Sequence, residues 1–312
     1  DFGKSQTAIA KYDAAYSFTP KIVLNAVADF TQTTGKGSDV NEHTRQISSI
    51  AMLFKQQIGE RFRYEAGLRK EITGNYESPL LFSAGIARDF GNSYTLRLNG
   101  SRNFRIPTFN DLYWVDGGNT DLKPESSYQA EIGNEIHLKK LKFSVTGYLV
   151  NIGNMIQWLP GTTALWHPVN VNKVRTYGVE TGLNWDRNFG EHFFSISATY
   201  GYTVSKDPNT GYQLIYVPYH KATAAVAWNW KKLSADWQTL FNGEVFTRSD
   251  NNPRYNIDAY TVSNFSMRYR FGKADWLTLG GRLMNVFDED YSVVEGRPFP
   301  GRNYNMYLTL KF

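Results

Sequence analysis

The side chains best suited to chemistry in this sequence are five histidines and one short run of carboxylates. No two of the histidines have a spacing that would place two metal ligands on one strand face or one helical face. Asp288, Glu289 and Asp290 are adjacent, a pattern typical of a loop turn rather than of an acid and base pair. The chain contains no cysteine, which excludes disulfides and thiolate metal sites. The histidines are His43, His137, His167, His192 and His220.

Motifs for catalysis and for phosphate binding are absent from the sequence as well. No Gly-x-Ser-x-Gly elbow and no phosphate-binding glycine loop occurs. The net charge of +5 is not gathered into the basic stripe that nucleic-acid binding requires. We therefore predict a protein that is not an enzyme, with no catalytic residue, no metal, no resident cofactor and no nucleic acid partner. His167 and His220 fall in predicted loops, where they could contact a ligand.

The elements that position these side chains are predicted to be β-strands throughout. The chain is 41% hydrophobic and 15% aromatic, yet no run approaches the ~18 consecutive apolar residues of a membrane helix. Alternation of apolar and polar residues between turn residues predicts about fifteen strands. These cover residues 4–17, 21–34, 44–58, 61–73, 79–90, 92–105, 126–138, 141–158, 173–187, 192–205, 220–230, 233–247, 260–271, 276–287 and 303–312.

The last segment shows the alternation most plainly. Tyr304, Met306, Leu308, Leu310 and Phe312 alternate with polar residues, and a strand points successive side chains to opposite faces. Each apolar face would need a second protein layer in a soluble fold, but no helical segment is long enough to supply one. Lipid contact is the simpler explanation. We therefore predict an all-β fold, a transmembrane antiparallel β-barrel.

The connections between the predicted strands alternate between short and long. Barrels of the bacterial outer membrane have short periplasmic turns and longer extracellular loops, so we predict a multi-pass protein of that membrane with the lipid bilayer as a partner. Trp228, Trp230, Trp237 and Trp276 are predicted to lie beside short turns, as an interfacial aromatic girdle would. The long connections cover residues 35–43, 106–125, 159–172, 206–219, 248–259 and 288–302.

Strand parity adds a further expectation. With about fifteen alternating strands, the first and last strands run in the same direction and cannot pair antiparallel to close a barrel. An open edge in lipid would leave backbone groups without hydrogen bonds. We therefore expect residues 1–312 to be the C-terminal portion of a larger barrel.

Five matches in order resemble TonB-dependent outer-membrane receptors. In the first, Arg-x-Pro at a strand end leads through Leu-Tyr to Asn-x-x-Leu-x-Pro-Glu. Each match alone is weakly specific, but their order and spacing resemble the family. The first match is Ser101–Tyr113 running on to Gly118–Glu125, and the other four are Asn172–Glu180, Val217–Lys221, Asn285–Tyr291 and Pro300–Tyr304.

The resemblance implies a 22-stranded barrel closed by an N-terminal plug. About seven strands and the plug would then lie outside this sequence, together with the segment that contacts TonB. It also implies that loop aromatics and cations on the extracellular side bind the imported ligand, a large amphipathic molecule. The candidates are Tyr113, Trp114, Trp158, Trp166, Tyr216, Tyr219, Arg248, Tyr255, Arg297 and Arg302. The residues of the implied barrel-assembly signal are Tyr304, Leu308, Leu310 and Phe312.

Three substrates compete under this resemblance. Phe104-Arg105-Ile106-Pro107 is close to one box of haem receptors, but Asn119-Thr120-Asp121-Leu122 departs from the other, and no histidine lies between them. Haem is therefore third. The compact loops place cobalamin (vitamin B12) ahead of a ferric siderophore. From another class, a passive porin or a structural barrel docked to a surface lipoprotein remains open.

Overall fold

The computed structural model describes residues 2–161 and 165–311. Fifteen strands form one antiparallel sheet, and two short strands form a separate hairpin. The all-β prediction is therefore confirmed. The strands are β1 Gly3–Thr19, β2 Ile22–Gly37, β3 His43–Ile58, β4 Phe62–Thr73, β5 Leu81–Phe90, β6 Tyr94–Arg105, β7 Glu125–Leu138, β8 Leu141–Pro160, β9 Trp166–Phe189, β10 His192–Lys206, β11 His220–Trp230, β12 Leu233–Asn242, β13 Tyr260–Phe271, β14 Leu277–Met284, β15 Ser292–Val294, β16 Arg297–Pro298 and β17 Asn303–Leu310.

The order of strands in the sheet follows the order of the sequence, with β17 next to β14. Every neighbouring pair is antiparallel, from β1 with β2 to β14 with β17. Among the described residues, β1 and β17 each have a strand partner on one side. The strand count predicted from the alternation is therefore correct. No helix in the described part of the chain is long and apolar enough to span a membrane.

One face of the sheet, here called the apolar face, carries the alternating hydrophobic residues. The register sets Met267 opposite Gly281 and Gly281 opposite Met306, so the apolar set of each strand continues into the next. Met306 is 87% exposed and Leu308 is 59% exposed. No second layer of the described residues covers this face. Exposed apolar rows of this kind are what a lipid-facing wall requires.

The opposite face, here called the polar face, carries charged and hydroxyl side chains. Arg69 of β4 lies 3.4 Å from Asp29 of β2 and 2.9 Å from Glu71 of its own strand. Ser49 of β3 donates a hydrogen bond to the same Asp29 carboxylate. These neighbours satisfy one another, so the polar face is an ordered network rather than a set of free charges.

Glycines on the polar face make room for aromatic rings. Gly280 pairs with Tyr307 across β14 and β17, and the Tyr307 ring occupies the space that a Cβ at Gly280 would need. The Arg282 guanidinium then lies 5.5 Å from the centre of that ring. The neighbouring Gly281 points to the apolar face and has free space for a Cβ.

Several predicted boundaries were wrong; β2, for example, ends at Gly37 and not at residue 34. The region 159–172, predicted as a loop, is largely strand, because the β8–β9 ladder continues to the pair Pro160 and Trp166. The predicted strand 233–247 ends at Asn242, and the predicted strand 276–287 ends at Met284. Outside the membrane, lipid contact no longer requires alternate residues to be apolar. The alternation in the sequence therefore does not show where a strand ends.

The assembly-signal residues Tyr304, Leu308 and Leu310 all lie on the apolar face of β17. Phe312 lies outside the described residues. Their role in barrel assembly stays a prediction.

Candidate functional site

The long connections lie at one end of the sheet, here called the loop end, and the short connections lie at the turn end. The β6–β7 connection contains a short helix, α1, at Phe109–Tyr113. Thr108 caps this helix, because its hydroxyl accepts from Asp111 N at 3.2 Å and the Asp111 carboxylate accepts from Thr108 N at 2.8 Å. Pro107 is fully buried before the cap. A helix of this length is not stable by itself, so the reciprocal capping box is needed to hold it in place.

A second contact anchors α1 to the long β8–β9 hairpin. The Trp158 indole donates a hydrogen bond of 2.8 Å from Nε1 to the remaining carboxylate oxygen of Asp111. Leu112, Leu122 and Ile156 form a buried apolar cluster beside it, and Tyr113 packs against that cluster. The main core of the described residues therefore lies beneath a loop, not between two sheet layers.

The other side of α1 packs on β2 and β3. The Tyr113 ring stacks on His43 with 3.5 Å between centroids and 12° between planes. The Arg45 guanidinium lies 4.9 Å from the centre of the Phe109 ring, a cation–π geometry. Gly35 has no side chain, and a Cβ there would come within 2.9 Å of Phe109. The β6–β7 connection thus folds across the polar face toward strands that are not its neighbours.

Backbone pairing completes this arrangement. Val40 of the β2–β3 connection and Trp114 form an antiparallel bridge, and Val115 N donates to Asp39 O at 2.9 Å. We call the surface formed by His43, Arg45, Phe109, Tyr113 and Trp114 the mouth shelf. It presents aromatic rings and a cation at the loop end, a combination that suits a flat or amphipathic ligand.

Tyr76 of the β4–β5 connection lies near the mouth shelf. Burial raises the pKa of the Tyr76 phenol above its ordinary value, and the charge of Arg45 partly opposes this effect. Sequence reasoning did not select His43, Arg45, Tyr76 or Phe109 as site residues. In the sequence, His43 and Arg45 stand out only as alternate residues beside a long connection. That spacing does not reveal which residues pack on them.

A second group of predicted residues meets around the β12–β13 connection. The Arg248 guanidinium lies 5.0 Å from the centre of the Tyr255 ring and 3.6 Å from the Glu295 carboxylate. Its Nε is buried and has no hydrogen-bond partner among the described residues. Tyr216, with a φ of 59°, donates from its backbone N to Phe246 O at 2.8 Å.

Hydrogen bonds join the β10–β11 and β12–β13 connections. Gln213 N donates to Asn251 Oδ1 at 2.7 Å, and Asn251 Nδ2 donates to Gln213 O at 2.8 Å. The fully buried Gln213 side chain also accepts from Ser205 N at 2.9 Å. A concavity of about 320 Å³ lies between these connections and the β8–β9 hairpin, with Asp207 and Asp250 in its lining. The loops at the mouth are therefore a packed structure with a defined recess.

The structure places the remaining predicted ligand residues separately. Trp166 is 40% exposed at the start of β9, opposite Pro160, and Trp158 also lies in a strand rather than a loop. Arg297, in β16, and Arg302 are both exposed. Neither has a carboxylate within ion-pair distance in the ranges that the structure describes.

Two histidines differ from the expected loop setting, whereas Tyr219 lies in the β10–β11 connection, within the predicted long connection 206–219. His167 lies in β9 and His220 lies in β11, so their prediction as loop residues was wrong. His220 pairs with Tyr202 on the apolar face and its Nδ1 lies 2.8 Å from the Tyr200 hydroxyl. Tyr219 stacks on the same Tyr202 ring at 6.5 Å. In residues 2–161 and 165–311 no group of three or more His, Cys, Asp or Glu side chains could hold a metal ion.

An antiparallel wall with an apolar face, a polar face, short turns at one end and folded loops at the other defines the class of outer-membrane β-barrels. The family described as TonB dependent receptor-like, beta-barrel, matches residues 2–286. The chain belongs to this family of TonB-dependent receptor barrels, whose members are outer-membrane receptors and transporters. The suspected family resemblance is therefore confirmed.

Relatives and solved structures agree with the family and differ in ligand. A vitamin B12 transporter of Photobacterium profundum is 26% identical over 99% of this chain and 50% of its own length. One from Vibrio vulnificus is 26% identical over 94% and 48%. The ferric enterobactin receptor of Pseudomonas aeruginosa superposes with a TM-score of 0.79 at 17% identity, over 99% of this chain and 54% of that one. A copper transporter gives 0.78 at 16% identity, over 98% and 56%. The chain spans about half the length of the curated relatives it matches.

Proposed function

We propose that this chain is the barrel wall of an outer-membrane receptor that imports vitamin B12 actively, with energy delivered through TonB. The observation that carries the proposal is the mouth shelf, an aromatic surface fixed across the polar face by the β6–β7 connection. The alignment of two vitamin B12 transporters with nearly the whole chain supports the same ligand. The bacterial outer membrane is the proposed location.

We also propose that residues 1–312 are the C-terminal portion of the barrel. An odd number of 15 strands supports this, because single-chain bacterial barrels have even strand numbers. A plug and the TonB-contacting segment would then belong to the rest of the protein. Docking to a surface lipoprotein stays a prediction from the sequence.

Two of the arginines at the loop end are already engaged by carboxylates and do not favour an anionic iron chelate. Arg105 is engaged in two hydrogen bonds of 2.8 and 2.7 Å with Glu125, and Arg248 is paired with Glu295 at 3.6 Å. Cations that are already neutralised add little to the binding of an anion. The aromatic faces remain, and they suit a ligand with a broad apolar ring and amide groups.

A ferric siderophore is the second candidate, because siderophore receptors are among the similar solved structures and because Arg297 and Arg302 are exposed. Guanidinium groups bind catecholate and carboxylate oxygens through paired hydrogen bonds. This gives a test that separates the two ligands.

The experiment measures binding of cyanocobalamin and of ferric siderophores to the full-length protein in detergent. Cyanocobalamin is expected to bind more tightly, and the Trp114→Ala variant, which removes one ring of the mouth shelf, to weaken that binding about tenfold, which corresponds to about 1.4 kcal/mol. Trp276→Ala, at the turn end, is the matched control and should bind normally.

The charge variant Arg297→Gln/Arg302→Gln should leave cyanocobalamin binding unchanged. The exposed Arg254→Gln change controls for charge at the loop end. If the double variant instead abolishes the binding of a siderophore that outcompetes cyanocobalamin, the siderophore candidate replaces the first. Binding of cyanocobalamin no tighter than to an unrelated porin would remove cobalamin.

A further inference from the structure

The apolar face carries an aromatic platform at the turn end, on β9, β10 and β11. Phe189 pairs with His192, and His192 pairs with Trp230. One row further in, Phe194 pairs with Trp228. We call these five residues the turn-end platform. The His192 ring is nearly parallel to both indoles, at 11° to each, with centroid distances of 5.9 Å to Trp228 and 5.7 Å to Trp230.

One hydrogen bond within the platform orients the histidine. The Trp228 indole donates from Nε1 to His192 Nδ1 at 3.1 Å. An indole N–H can only donate, so Nδ1 must act as the acceptor and the ring proton resides on Nε2. No described residue forms a hydrogen bond with Nε2. The platform therefore presents a donor whose direction is fixed by two flanking tryptophans.

Cations border the platform. The Arg187 guanidinium lies 4.8 Å from the centre of the Phe189 ring, on the same apolar face, because Arg187 pairs with Phe194. Lys231 lies 5.5 Å from the Trp230 ring and is paired with Glu191 at 3.0 Å. In the described part of the chain Arg187 has no carboxylate within ion-pair distance.

The same arrangement recurs elsewhere along the turn end. Arg88 lies on the apolar face of β5 and its guanidinium is 5.0 Å from the centre of the Phe90 ring. On the polar face, in contrast, Arg63 forms an ion pair with Asp89 at 2.7 Å. At this end of the sheet, Arg63 on the polar face has an acidic partner, whereas Arg88 and Arg187 on the apolar face each stack on an aromatic ring.

We propose that the turn-end platform binds the phosphate of an anionic glycerophospholipid in the periplasmic leaflet of the outer membrane. The turn end is the periplasmic end in this class of barrel. Long cationic side chains extend from the lipid face to the headgroup level, where aromatic rings also accumulate. Arg187 and His192 Nε2 supply the phosphate donors, and the rings on the strand face contact the acyl chains.

Charge complementarity favours an anionic lipid headgroup over a zwitterionic one. Glu191, the acidic residue in the β9–β10 turn, is paired with Lys231. Arg187 is therefore the cation left for a ligand, and a guanidinium fork matches two phosphate oxygens. A net negative lipid such as phosphatidylglycerol gains from this cation, whereas a zwitterionic lipid carries its own ammonium beside the phosphate.

The test is native mass spectrometry of the full-length protein in detergent, with phosphatidylglycerol and phosphatidylcholine as probes. Wild type should retain phosphatidylglycerol preferentially. Arg187→Gln should weaken that binding about fivefold, the usual effect of one cation at an anionic membrane surface, with phosphatidylcholine unaffected. Arg61→Gln, in the β3–β4 turn, removes a cation at the same end with no ring beneath it and should behave as wild type.

His192→Phe provides an independent measurement, because it keeps the stacking with the two tryptophans and removes the Nε2 donor. It should also lose phosphatidylglycerol preference, while heat-modified mobility on gels reports that the barrel is folded. A photo-crosslinking residue at position 189 should label lipid in cells. Equal affinity of wild type and Arg187→Gln for phosphatidylglycerol, or crosslinking of position 189 to a polypeptide, would overturn the assignment.

Discussion

The Asp111 carboxylate offers the sharpest test of how the mouth shelf is held. One oxygen accepts from Thr108 N at 2.8 Å and closes the α1 cap, and the other accepts from Trp158 Nε1 at 2.8 Å. The change Asp111→Ala removes both contacts without touching the sheet. The β6–β7 connection should then separate from the β8–β9 hairpin while the strands remain intact.

The magnitude follows from the two lost contacts. The capping interaction contributes about 1 kcal/mol. The Trp158 N–H, which is half-buried, loses its acceptor at a cost near the lower end of about 1 to 3 kcal/mol. The connection should therefore be less stable by about 2 to 3 kcal/mol, which corresponds to about 30- to 140-fold more frequent opening.

Amide hydrogen exchange measures this opening directly. The amides of Leu112, Gly118 and Asn119 are bonded inside the connection and should exchange faster by the stated factor. Asp111→Asn keeps one acceptor oxygen and should show about 5- to 12-fold faster exchange, half of the effect in free energy. Asp116→Ala is the matched control, since Asp116 lies exposed in the same connection.

Equal exchange of Asp111→Ala and Asp116→Ala at those three amides would show that the Asp111 carboxylate does not hold the connection. Faster exchange throughout β6 and β7 would also contradict the prediction, because the carboxylate would then stabilise the sheet rather than the connection.

Two further predictions concern a glycine and a tyrosine. Gly280→Val should force the Tyr307 ring away and lower stability by about 1 to 3 kcal/mol, seen as a lower thermal midpoint, whereas Gly281→Val on the apolar face should leave it nearly unchanged. Burial raises the pKa of Tyr76 above its ordinary value of 10.0. The protonated phenol therefore stabilises the loop below pH 10, and this contribution is lost as the pH rises through the folded-state pKa. Protease resistance of the loop should fall in that alkaline range in wild type but show no such step in Tyr76→Phe.

The sheet was predictable from the sequence because membrane and lumen impose opposite demands on alternate residues. The predicted ranges 220–230 and 260–271 coincide with β11 and β13. The short turns could also be predicted from the sequence, because glycines such as Gly59 and Gly91, both at positive φ, are typical of tight connections. The two-residue period therefore predicts a strand wherever one face contacts lipid and the other faces the lumen.

The mouth was less predictable because its contacts are distant in sequence and follow no period. Tyr113 is a predicted ligand residue, but its stacking partner His43 lies 70 residues earlier, with strands β3 to β6 between the two. The extension of β8 and β9 past Trp158 was missed because Pro160 resembles a strand end, although a proline can occupy the last pair of a ladder. Ring stacking and loop-to-loop pairing join residues that are distant in sequence, so no local sequence pattern predicts them.

The bridge between Val40 and Trp114 has a mechanical consequence. Strands β3 to β6 form an arc, and the bridge joins the two ends of that arc at the rim as a chord joins two points on a circle. An arc with a fixed chord keeps its curvature, so this quadrant of the rim can tilt as one piece but cannot flatten. Any widening of the rim would therefore occur in another quadrant or begin with the release of this bridge.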